Sequence, residues 1–238
     1  MNPPPPQIGF DRFIQLEWAR TALRVKAGMA NIEELEELIT ASHSGLEAKK
    51  KTRTVLNRLW LEPRPDLVEF SDRGVQVYKD APGTSVAALT WGMAIASYPF
   101  FGRVTEIVGR LTAIQGECTS VEVHRRMAET YGEREGTRRM TNMVLQSQAD
   151  WGAISRPNKG KQIVRKPRID LEGSPVVPWL VEACLRQGGR SLSVATLDSI
   201  PMLYPFRLGE SLSYILSGVK WLEMHVDSSG NQSVDIKV

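Results

Sequence analysis

The sequence predicts a mainly α-helical fold with small β pieces, and three observations lead there. Apolar residues recur at helical spacing, as in "FDRFIQLEWARTALRVKAG" (10–28), where Phe13, Leu16, Trp18, Ala19 and Leu23 share one side. Ser, Thr and Asn stand where helices would start, and Gly and Pro where they would stop. Hydrophobic content of 42% over 238 residues suits a globular chain of one large domain or two to three small ones.

The elements follow in order. Gly28 is a stop for the first helix. Asn31 caps the second, with Glu33 and Glu34 in its first turn and Leu35, Leu38 and Ile39 on its apolar side. A third helix runs from about Leu46 to Leu61, ended by Pro63 and Pro65. "LVEFSDRGVQVY" alternates in places and holds Asp72-Arg73-Gly74, which predicts a short strand or hairpin. An apolar helix covers 84–97, Pro99 makes a corner, and another helix ends near Gly116. Thr119 and Glu122 have capping-box spacing for a helix ending at Gly132. A further helix begins near Thr137 and leads to a hairpin tipped by Pro157-Asn158-Lys159-Gly160. "DLEGSP" reads as a linker and "PWLVEACLRQGG" as a helix. Residues 193–218 read as helix, turn, helix, and "VKWLEMHVDSSGNQSVDIKV" as a hairpin.

A coarse recurrence is visible near 32–79, 119–169 and 191–238: helix, turn, helix, then a two-stranded β piece. That is the element order of a winged helix. The expected organisation is a mobile Pro-rich lead (1–9), a helical, winged-helix-like module (10–83), a central helical region with a winged helix (84–170) and a C-terminal helical module with a β-hairpin (171–238).

Several function classes are disfavoured. No apolar run approaches the ~18 residues that span a bilayer. "MNPPPPQ" has neither a charged nor an apolar signal-peptide region. Cys118 and Cys184 are expected to be reduced and buried, and His43, His124 and His225 lack metal-ligand spacing. No phosphate-binding glycine loop, dinucleotide fingerprint or nucleophile elbow is present. The cluster Glu33, Glu34, Glu36 and Glu37 reads as a hydrated face. Trp60, Trp91, Trp151 and Trp179 read as core. No catalysis, cofactor, metal or small-molecule substrate is therefore expected.

Charge is the informative feature. Between Arg134 and Arg168 stand nine basic residues against Glu135 and Asp150, so this segment is +7 in a chain of +3. Such concentration is the pattern of a polyanion site. On a helical wheel Met140, Met143, Val144 and Trp151 fall to one side, and Arg138, Arg139, Asn142 and Gln146 to the other. Guanidinium and amide groups pair with phosphates and base edges. Lys159, Lys161 and Arg165 on the hairpin would reach the neighbouring backbone. A second basic helix, "EAKKKTRTVLNRLW", offers Lys49, Lys50 and Arg53 as further phosphate contacts. The expected partner is double-stranded DNA. The alternative is a protein-interaction scaffold, because winged helices also dock proteins and the C-terminal tip "SSGNQS" has no Lys or Arg.

Four segments carry a family resemblance: "LEWARTAL" (16–23), "KKKTRTVLNRLWLEPRPDL" (49–67), "ALTWGMAIASYPFFGRVTEIV" (88–108) and "GTRRMTNMVLQSQADWGAI" (136–154). Their order resembles the BrxA-type small DNA-binding protein of BREX phage-defence systems, over about residues 10–170. The resemblance implies a cytoplasmic, non-enzymatic, helical DNA-binding protein working beside larger defence proteins.

Overall fold

The computed structural model describes residues 9–81 and 83–237; the proline-rich lead, apart from Gly9, lies outside that range. Helix makes up 61% and strand 11%, so the molecule is mainly α. The first helix starts later than its apolar pattern predicts. Residues 10–15 are a non-helical strap, and α1 is Leu16–Lys26. The strap finds its hydrogen bonds far along the chain instead of in a helical turn. The Ile14 N–H donates to Ser147 Oγ (2.8 Å), and the Trp151 indole donates to the Ile14 carbonyl (2.9 Å).

α2 (Ile32–Ser42) opens as predicted, with Glu34 accepting from the Asn31 N–H at 3.2 Å. α3 (Leu46–Leu56) runs into one π turn, Asn57–Leu61, which buries Leu59 and Trp60. The expected strand at 68–79 is instead α4 (Val68–Asp80). Its buried residues Phe70, Ser71, Gly74 and Val75 follow helical spacing, and Asp72-Arg73-Gly74 is not a turn. Gly74 serves close packing: a Cβ there would lie 2.8 Å from the Trp179 ring. The first of the three expected β pieces is thus absent from the described residues, and 32–79 is helical.

α5 (Val86–Ser97) is capped by Ser85 and buried on all sides from Ala87 onward. α6 (Pro99–Leu111) starts at the predicted corner. Next come β1 (Glu117–Thr119), α7 (Ser120–Tyr131), α8 (Glu135–Asp150), β2 (Ile154–Ser155) and β3 (Gln162–Arg165). These strands form an antiparallel sheet in the order β1-β3-β2. β4 (Ile169–Asp170), at the start of the expected linker, precedes α9 (Val176–Gly188). β5 (Leu192–Ser193) leads into two 3₁₀ turns, Val194–Ser199 and Pro201–Leu203, where an α-helix was expected. Pro201 and Pro205 prevent a continuous helix there. β6 (Phe206–Arg207) pairs parallel with β4. α10 (Leu212–Ser217), β7 (Leu222–Val226) and β8 (Gln232–Ile236) complete the chain, and the predicted hairpin forms around Asp227–Asn231. The second sheet has the order β5-β8-β7. In both three-stranded sheets, the strand preceding the helical segment pairs with the last strand of the hairpin.

α9 packs against α4 and α5 in the middle of the molecule. The Trp179 ring lies parallel to Phe70 (4.3 Å) and Trp60 (6.4 Å). All four tryptophans expected in the core are there. Fully buried Gln148 links three parts of the fold: its amide donates to Thr105 Oγ1 (2.9 Å) and its oxygen accepts from the Tyr204 hydroxyl (3.0 Å).

Candidate nucleic-acid interface

The basic segment is held in place by local chemistry. Glu122 accepts from the Thr119 N–H (2.8 Å), and Thr119 Oγ1 accepts from the Glu122 N–H (3.2 Å), so α7 has the predicted capping box. α8 buries Thr137, Thr141, Val144, Leu145, Ser147 and Gln148. That seam turns Arg138, Arg139 and Gln146 to solvent and leaves Asn142 half-buried. Met143, expected in the core with Met140, instead lines a surface groove. Both methionines are only partly buried, because the seam runs through the threonines and Leu145.

The hairpin tip comes to the same groove. Asn158 and Lys159 adopt left-handed backbone conformations (φ 53° and 57°), which fold the tip tightly. Arg156 ties tip to helix by donating to Asn142 Oδ1 (3.0 Å) and to the Gly160 carbonyl (3.3 Å). The resulting open groove, about 760 Å³, is lined by Arg139, Asn142 and Gln146 from α8 and by Arg156 and Lys159 from the hairpin. Phe13 of the strap closes one side beside Asp150, whose carboxylate accepts from the Leu16 N–H at 2.6 Å.

Not every predicted contact residue joins this groove. Arg138 faces a separate cleft of about 750 Å³ between α7 and α8, beside His124. Burial pushes the His124 pKa down, and Arg138 and Arg156 add to that shift. Lys161 is exposed on the opposite side of the hairpin, by Glu117 and Glu122. Arg165 turns inward: its guanidinium donates to Thr112 Oγ1 and the Gly109 carbonyl and lies 5.0 Å over the Tyr204 ring. It is a structural residue in this fold, because its side chain covers the end of α6. On α3, Lys49 is half-buried with no ion pair among the described residues. Lys50 faces Glu47 at 3.8 Å. Arg53 is paired with Glu36 and donates to Asn57 Oδ1 (2.7 Å), so its charge is already answered within the protein.

Sequence reasoning missed the clamp made by Arg156 and the groove wall made by Phe13. Arg156 was visible only as one charge among nine. Phe13 had been placed on a helical face that does not form.

The electrostatics separate this surface from the rest. Of the nine cations from Arg134 to Arg168, only Arg168 makes an ion pair among the described residues, with Asp198 at 2.9 Å. Elsewhere arginines are commonly matched: Arg20 with Glu17, Arg103 and Arg110 with Glu106, Arg125 and Arg126 with Glu129. Unmatched cations that are also exposed, such as Arg139 and Lys159, are available to phosphate oxygens, which bind guanidinium and ammonium groups by charge-assisted hydrogen bonds.

Burial raises both Cys118 and Cys184 to about 12, far from a reactive thiolate. Among the described residues no group of His, Cys, Asp and Glu could hold a metal, and no helix is long and apolar enough to cross a membrane. No family model, no curated protein and no solved structure matches the chain.

Proposed function

We propose that this chain is a non-catalytic double-stranded DNA-binding protein, with residues 99–166 acting as a winged helix. The order α6, β1, α7, α8, β2, β3 and the sheet order β1-β3-β2 support that assignment. The observation that carries the reading is the groove in which Arg139 and Lys159, neither in an ion pair among the described residues, converge with the Gln146 amide. α8 is the recognition helix: a helix about 10–12 Å across fits a major groove about 12 Å wide. Arg139 and Gln146 face base edges, and Lys159 holds the adjoining backbone. The BrxA-type resemblance of 16–23, 49–67, 88–108 and 136–154 makes an accessory role in cytoplasmic phage defence, beside other defence proteins, the biological reading.

Binding to duplex DNA across a salt series tests this. Affinity should fall steeply with salt, and Lys159→Ala should lower the slope of log K against log salt by about one unit. Arg139→Ala should weaken binding as well. Unchanged affinity in the Arg138→Ala/Arg139→Ala double variant would remove α8 from the interface. The scaffold reading keeps one supporting observation: Tyr214 and Val226 are exposed in the C-terminal module, whose tip has no cation. Salt-insensitive behaviour towards DNA together with a stable protein partner would favour it.

A further inference from the structure

We infer that the open edge of β7 is a self-association surface, on which a second copy of this chain lays its own β7 antiparallel and joins the two C-terminal sheets into one. The inference does not depend on the DNA reading.

The edge is unprotected. In the sheet β5-β8-β7, β7 pairs with β8 on one side, and no strand pairs with its other side among the described residues. The other outer strands of the two three-stranded sheets are blunted by length: β5 and β2 have two residues each and β1 three, against five in β7. β7 contains no Pro and no Lys, and its pairing with β8 runs from Leu222 to Val226 without a bulge. Short length, Pro, Lys and bulges are the devices that keep edge strands apart.

The hydrogen bonds at the two ends of the β7–β8 ladder fix which groups are on offer. The Asp227 N–H donates to the Asn231 carbonyl, and the Lys237 N–H to the Trp221 carbonyl, both at 3.0 Å. Bonded and non-bonded pairs alternate along an antiparallel ladder. Glu223 and His225 therefore spend their main-chain groups on Asp235 and Ser233. Met224 and Val226 turn theirs to the open edge, as does the Leu222 carbonyl. The Leu222 N–H already donates to the Val219 carbonyl at 3.4 Å.

A second β7 matches this edge when Met224 lies opposite Met224. Each Met224 N–H then donates to the other Met224 carbonyl, and each Val226 N–H to the Leu222 carbonyl of the second copy. The side chains agree with that register. Leu222, Met224 and Val226 share one face, which passes from buried through half-buried to 65% exposed at Val226. Pairing sets Val226 beside Leu222 of the second copy and carries the apolar face across the junction. On the other face the exposed Glu223 carboxylate, an acceptor, meets the exposed His225 ring, a donor. They form a non-bonded pair, where side chains approach most closely. The neighbouring registers with the same hydrogen-bond alternation set Glu223 against Glu223 or His225 against His225. Charge and apolar complementarity thus select a second copy of this chain. The strands are short and the interface small, so the dimer is weak, with a dissociation constant of about 10–100 μM.

Sedimentation velocity of the full chain across a concentration series tests this. The expected result is a monomer–dimer equilibrium. Val226→Pro removes an outward N–H and no bond to β8, so it should abolish the dimer while the urea midpoint stays near that of the wild type. His225→Glu sets like charges against each other and should raise the dissociation constant about tenfold. Glu223→Lys/His225→Glu exchanges the charges and should restore the wild-type constant, which a dimer built on any other surface would not do. A chain that remains monomeric at about 1 mM overturns the proposal. So does a dimer that His225→Glu and Val226→Pro leave unchanged, or one that the charge exchange fails to restore.

Discussion

Arg139 and Arg165 are the same residue type in the same basic segment, with opposite fates. Arg139 stands on the solvent side of α8 with no ion-pair partner among the described residues. Arg165 is drawn onto the end of α6 by Thr112 Oγ1 and the Gly109 carbonyl. Removing Arg165 strands those acceptors and the face of Tyr204. Arg165→Ala should therefore cost about 1–3 kcal/mol of stability, measured by urea unfolding, and leave the salt slope for DNA unchanged. A normal unfolding midpoint with a reduced slope would return Arg165 to the interface. Wheel geometry alone separates Arg139 and Gln146 from Val144, because the side of a helix is a local property. It could not identify Arg165, whose acceptors lie more than fifty residues earlier in the chain.

Elements were legible where their ends carry their own chemistry. Thr119 and Glu122 define the start of α7, Asn31 and Glu34 that of α2, and Pro99 the corner before α6. α4 was misread because partial alternation in "LVEFSDRGVQVY" imitates a strand, and Gly74 imitates a turn. Its glycine instead makes room for an aromatic ring from another element. Gly92 on α5 plays the same part. A Cβ there would lie 2.4 Å from the Trp179 ring, so Gly92→Ala must displace α9 or strain the stacked aromatics. Its expected cost is about 1–3 kcal/mol, seen as a lower unfolding midpoint, despite alanine's better helix propensity. A variant as stable as the wild type or more so would show that Trp179 is not tightly held.

Over the whole molecule, one hydrophobic cluster runs from the strap through α5 and α9 to the last sheet. Buried Glu182 on α9 is part of how distant segments are joined. It accepts from Arg73 of α4 at 2.5 Å and from Arg186 at 2.9 Å. Glu182→Ala leaves Arg186 without a carboxylate and Arg73 with only the exposed Glu69 at 3.9 Å. It should destabilise by about 3 kcal/mol, at the low end for a broken buried pair because both arginines reach solvent. An unchanged denaturation midpoint would mean that water replaces the carboxylate at no cost. The sequence by itself determined helical character, most helix ends, the aromatic core residues and the concentration of positive charge. Each of these depends on periodicity, capping or composition within a few neighbouring residues. Tertiary structure alone decided that Phe13 meets α8, that Arg156 clamps the hairpin to Asn142, and that Arg53 and Arg165 are engaged internally. Those outcomes depend on which remote groups become neighbours when the apolar faces are buried together, and local patterns carry no record of that pairing.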